Sequence, residues 1–199
     1  MTGSEQTREQ KKAETRSRIL SRAHELFHQH GFDSTTLEDI CAAGDVSKRT
    51  FFRYFPDKES LVFPNRERRR ERFVEILSTA PPDESPFDTF RRLTRLFSVE
   101  YSEHRDQLLV AQSLIQSSSA LLAREAAIDR EWEQDIAAVF INQLPPGLAS
   151  ERRAEVLAGA MMGTVRATMR HWYATGGVED LDQLGHEALD SLEAGFGVR

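Results

Sequence analysis

The stretch VSKRTFFRYFPDKESL, Val46 to Leu61, holds four aromatic rings and four basic side chains in sixteen residues. Lys48, Arg49, Thr50, Arg53 and Tyr54 gather ammonium, guanidinium and hydroxyl groups, which hydrogen-bond to phosphate oxygens and to acceptors on base-pair edges. A turn at Gly44-Asp45 separates two short helical segments. Leu37–Ala43 is capped by Thr36, with Asp39 completing a capping box, and Lys48–Tyr54 is capped by Ser47. That spacing predicts a helix-turn-helix, whose second helix enters the DNA major groove by its N-terminal residues. Helical phase puts Val46, Phe51 and Phe55 on one face, to pack on Ile19, Ala23, Phe27 and Ile40. The cations and hydroxyls are left outward.

A rival chemistry overlaps the preceding helix. HELFHQHG fits H-E-x-x-H-x-x-G, and two imidazoles four residues apart with a glutamate between can hold zinc and activate water. A third ligand is required, and the extended pattern holds Ser34 where that ligand belongs. The reading is therefore double-stranded DNA recognition, with no catalytic residue, metal or cofactor assigned. The alternatives are a zinc hydrolase acting through His24, Glu25 and His28, and a helical acyl-ligand carrier without DNA function.

Composition narrows the class further. Residues 1–62 hold ten Lys+Arg against ten Asp+Glu, so the net charge of −6 lies wholly beyond them, unlike a protein that coats nucleic acid throughout. One cysteine, Cys41, excludes an internal disulfide and is expected buried on its short helix. No apolar run approaches the roughly 18 residues of a membrane span, and the polar start shows no secretion signal. A cytoplasmic protein without membrane contact is expected.

Apolar residues recur at spacings of three and four nearly everywhere, which predicts an all-α fold of about nine helices. Residues 1–13 are expected as a flexible N-terminal arm touching DNA backbone or minor groove, 14–62 as the helix-turn-helix domain, and 63–199 as a helical ligand-binding and dimerisation domain. The first helix is predicted over 14–30, stopped by Gly31. A fourth starts at Pro56-Asp57, restarts at Pro64 and runs to Leu77, with RERRRER as its solvated face. APPDESP is the linker, and further helices are predicted over 87–103, 105–117, 119–143, 151–174 and 180–194.

The run ETRSRILSRAHELFHQHGFDSTTLEDICAAGDVSKRTFFRYFPDKESL resembles the DNA-binding domain of the TetR family of transcriptional regulators. Ile19, Ala23, Leu26, Phe27, Gly31, Thr36, Ile40, Val46, Ser47, Thr50, Phe55, Lys58 and Leu61 stand at family spacing. The resemblance implies that Lys48 and Arg49 approach bases, with Thr36, Ser47, Thr50, Tyr54 and Lys58 near phosphates. Asp45 and Arg49 replace common glycines, and Phe52 replaces a common phosphate-binding tyrosine. Arg49 adds a bidentate donor suited to guanine. The RTFFRYFP variant resembles a branch in which some members respond to acyl-CoA.

The remaining helices need bulky, adaptable lining to enclose a small molecule. Phe73, Phe97, Tyr101, Trp132, Phe140 and Met169, with Gln112, Gln116 and His171 as polar handles, are the candidates, and the effector is expected to be acyl-CoA or another hydrophobic ligand. Small residues in LAGAMMGTVRA and the stripe Leu181, Leu184, Ala188, Leu189 and Leu192 suit a homodimer through the last two helices. The expected function is a ligand-responsive repressor that binds a near-palindromic operator as a dimer.

Overall fold

The computed structural model of the protein describes residues 3–63, 65–81, 83–144 and 149–195, with side chains from Arg8 onward. Among them lie nine α-helices: α1 (Gly3–His30), α2 (Leu37–Ala43), α3 (Lys48–Tyr54), α4 (Arg66–Ser78), α5 (Pro86–Glu103), α6 (Arg105–Gln116), α7 (Ser119–Gln143), α8 (Ser150–Ala174) and α9 (Leu181–Glu193). The described residues contain no strand.

The first helix departs from expectation. The flexible arm anticipated at 1–13 is helical from Gly3. Neither glycine nor proline interrupts 4–30, and the arm is rich in Glu, Gln, Lys, Arg and Ala, all strong helix formers. Gly31 ends α1 with φ 78°, a left-handed conformation open to a residue without Cβ. Asp45 takes φ 48° in the turn before α3, so it adopts the backbone that glycine commonly supplies.

The fourth helix differs as well. In place of a helix starting at Pro56-Asp57, a short 3₁₀ turn covers Glu59–Leu61, where the Asp57 carboxylate accepts from the Ser60 N–H at 2.8 Å. The anticipated restart at Pro64 lies outside the described residues. Asn65 has φ 61°, and α4 follows.

The chain forms two compact units. The first holds residues 1–66 together with 113–124, and the second holds 67–112 with 125–199. A single division at 62/63 is therefore corrected: Ile115 and Leu121 are buried in the first unit's core beside Ile19, Phe27, Ile40, Phe51 and Phe55. Ser118 Oγ donates to Asp33 Oδ1 at 2.7 Å in the same unit. Apolar burial at about 25 cal/mol per Å² outweighs adjacency in sequence.

The second unit has its own core, centred on Phe73, Leu77, Phe90, Ile136, Phe140 and Met161. The basic run on α4 is not a simple solvated face. Arg70 forms a bidentate pair with Asp135 at 2.5 and 2.8 Å, and Glu100 accepts from both Arg69 and Arg72. Helix α9 packs on α5 and α8. The stripe on α9 divides: Leu181 and Leu189 are buried in their own chain, while Leu184 and Ala188 line a shallow groove with Ala167, Thr168 and His171 of α8.

Candidate functional site

The short helix α3 is held by its caps and its rear face. Ser47 Oγ accepts from the Thr50 N–H at 3.1 Å, which satisfies a donor that a helix start leaves open. Phe51 is fully buried and Phe55 is 2% exposed, with ring centroids 5.6 Å apart. Helix α2 carries the complete capping box, in which Asp39 accepts from the Thr36 N–H at 2.9 Å and Thr36 Oγ1 accepts from the Asp39 N–H at 3.2 Å. Hydrogen bonds from the Thr36 hydroxyl and backbone hold the Asp39 carboxyl below its ordinary pKa.

On the outward side, Arg49 is exposed and has no ion pair or side-chain hydrogen bond among the described residues. Lys48 is exposed but pairs with Glu38 of α2, whose pKa is lowered chiefly by that hydrogen bond. Arg53 donates to the Tyr54 hydroxyl at 3.2 Å and lies over its ring. Burial alone would raise the Tyr54 pKa. Hydrogen bonds from Arg53 and Thr15 and the charges of Arg53 and Lys12 bring it below the ordinary phenol value. Phe52 is 53% exposed and meets Phe51 edge-on.

Lys58 is turned inward, against the expectation of a phosphate contact. Its ammonium donates to the carbonyls of Phe32 and Thr35, both at 2.9 Å, and sits 4.1 Å from the Phe32 ring centroid. It closes the loop between α1 and α2, because two buried carbonyls and a ring face satisfy a cation that solvent does not fully reach. The zinc reading finds no support in the geometry of its residues. His24 Nε2 lies 2.9 Å from the Leu61 carbonyl, Glu25 pairs with Arg22 at 2.7 Å, and no group of three or more His, Cys, Asp or Glu among the described residues is placed to hold a metal. Cys41 is buried, and burial raises its thiol pKa.

In the second unit the expected ligand residues do not gather at one place. Phe73, Phe97 and Trp132 form one cluster, with Phe73 and Trp132 centroids 4.6 Å apart and Phe97 about 6 Å from Phe73. Tyr101 lies under the Arg69 guanidinium at 5.2 Å, and Gln112 is half-buried on α6. Phe140 is fully buried core and Met169 is half-buried. Gln116 is the exception, exposed on the segment that belongs to the first unit. His171 pairs with Glu179 at 2.9 Å on the surface.

Sequence reasoning missed Arg69, Glu125, Asp129 and Tyr173. Burial raises the pKa of Glu125 and Asp129, Asp129 adds to the effect at Glu125, and burial with Tyr101 and Glu125 pushes Tyr173 above the phenol range. The signal was present: Glu125 and Asp129 share the α7 stripe of Leu121, Trp132, Ile136 and Phe140.

An aromatic-backed short helix with outward cations, in a chain whose other unit is also helical, defines the class of helix-turn-helix DNA-binding regulators. Residues 19–63 match the model for bacterial regulatory proteins of the tetR family, and 84–197 match the MftR C-terminal domain. The chain is 30% identical over 193 residues to the HTH-type transcriptional regulator TcmR of Streptomyces glaucescens, covering 93% of this chain and 85% of that protein. Among solved structures it is similar to FadR of Thermus thermophilus, a TetR family transcriptional repressor in complex with lauroyl-CoA. Identity is 26%, TM-score 0.56, and coverage 92% of this chain and 96% of that one. SmeT in complex with triclosan shares the fold at 22% identity and TM-score 0.62, covering 91% and 90%. The chain belongs to the TetR family of transcriptional regulators, whose members are not enzymes.

Proposed function

We propose that the protein is a ligand-responsive repressor that binds a near-palindromic operator as a homodimer and is released by a small hydrophobic effector. The observation carrying this reading is Arg49: an exposed guanidinium without a partner among the described residues, at the start of a helix whose opposite face is fully buried. Arg49 reads a base edge, with Lys48 beside it, while Thr36, Ser47, Thr50, Arg53 and Tyr54 meet the backbone. The groove between α8 and α9 seats the same groove of a second chain, which sets two α3 helices about one DNA turn apart. An effector shifts the balance only through unequal affinity for the bound and released states. Selection of bound duplexes from a random pool should return an inverted repeat with half-site centres about 10 base pairs apart, or a multiple of that. A pool that stays unenriched at low salt would overturn the reading.

A further inference from the structure

Four side chains of α3 are exposed: Lys48, Arg49, Phe52 and Arg53. Two of them are engaged within the chain. Lys48 is held by Glu38 of α2, and Arg53 donates to the Tyr54 hydroxyl at 3.2 Å and lies over its ring. Arg49 has no ion pair or side-chain hydrogen bond among the described residues. Phe52 is 53% exposed, and its ring centroid lies 5.5 Å from that of Phe51 with the two planes at 89°.

A lone apolar residue on a protein surface is ordinary, but the place of this one is not. Phe52 follows Lys48 by four residues and Arg49 by three, so its ring projects between them, one turn further along α3, with Arg53 beside it. Three cations around an exposed ring draw it toward a polyanion. A phosphate offers that ring nothing, because a benzyl group has no donor. Among the groups on base-pair edges in the major groove, the C5-methyl of thymine is the apolar one. Three residues span about 4.5 Å along a helix, and base pairs are stacked about 3.4 Å apart. With α3 lying along the groove, Arg49 and Phe52 therefore reach base pairs that are next to each other or separated by one.

We propose, resting on the base contact by α3 put forward above, that Phe52 is a specificity-determining residue that reads the C5-methyl group of a thymine in each operator half-site, within two base pairs of the one Arg49 contacts. The ring and the methyl leave water together, with no hydrogen bond between them. Discrimination therefore acts against any base without that methyl, whatever hydrogen-bonding groups it carries.

The test uses the full-length protein and the duplex recovered by selection from a random pool. Each thymine of a half-site is replaced in turn by uracil, which removes the methyl and keeps every hydrogen-bonding group, and affinity is followed by gel shift at one fixed salt concentration. One such replacement should weaken wild-type binding about fourfold, and about fifteenfold when made in both half-sites. In Phe52→Ala the thymine and uracil duplexes should bind equally. Both duplexes are titrated on the same preparation, so a partly unfolded fraction cancels from the ratio. If Phe52→Ala does not fold, Phe52→Gln keeps a chain over Phe51 on a good helix former and should show the same equality. No uracil effect in the wild type, an effect that persists in the Phe52 variants, or a sensitive thymine more than two base pairs from the position where Arg49→Ala loses its base preference would each overturn the proposal. An Arg49→Ala variant with unchanged base preference counts against the reading of Arg49 and leaves the thymine result standing, whereas an unenriched pool removes both.

Discussion

The two units place the same kinds of side chain on opposite sides of their cores. In the first, phenylalanines fill the interior and cations and hydroxyls cover the outside of α3. In the second, burial raises the pKa of Glu125, Asp129 and Tyr173, and the Nε of Arg69 is buried. A polymer too large to enclose must be met by an exposed, rigid surface. A small molecule can be surrounded, and surrounding it requires polar groups where apolar ones would pack better. Under the proposed function, the contrast puts DNA recognition on the rim of the first core and effector recognition in the second unit.

The sharpest way to break the comparison is Phe51→Ala. Emptying the centre of the first unit should cost about 3–5 kcal/mol and abolish operator binding. Both tryptophans, Trp132 and Trp172, lie in the second unit, so native tryptophan fluorescence should persist in that variant. Loss of both signals together would mean that the units do not fold separately. Arg49→Ala tests the rim without touching the core: operator affinity should fall roughly 10–100-fold with an unchanged melting temperature. Unaltered gel-shift affinity would remove the main support for base reading by α3.

Lys58→Met distinguishes an inward cation from an outward one. Leaving the Phe32 and Thr35 carbonyls without their donor should cost about 1–3 kcal/mol in a denaturant melt. The salt dependence of DNA binding should stay the same, whereas loss of a phosphate contact would lower its log–log slope by about 0.9. The smallest effect is expected at Glu125. Its folded pKa is raised, by burial first and Asp129 second, so its contribution is fully present below the ordinary carboxylate pKa and is lost as pH rises through the folded value. Glu125→Gln should therefore melt higher than wild type at neutral pH, and the gap should close on acidification below the ordinary carboxylate range.

Much of the first unit was legible because its determinants are local. Thr36 with Asp39, Ser47 with Thr50, and Gly31 each act within four residues, and helical phase alone separates Phe51 and Phe55 from Arg49 and Arg53. The helical start of α1 was less legible, since its polar sequence has no apolar stripe and is helical by propensity alone. The inward turn of Lys58 depends on carbonyls 23 and 26 residues away, which no spacing rule reports. Glu125 and Asp129 looked like part of a charged stretch, because acidic side chains interrupt the periodic pattern that marks an interior face. Gln116 was misplaced for a related reason: a helix can belong to one unit at its start and another at its end, as α6 does.

That last feature limits how the molecule can be taken apart. The chain passes between its units at 66/67, 112/113 and 124/125, and the inserted dozen residues fill the reading head's interior with Ile115 and Leu121. A fragment ended at Arg66 would carry an uncovered apolar hollow. Grafting this head onto another sensor demands two transplanted pieces, and a sensor can be exchanged freely only if its own α6–α7 corner fits the same hollow.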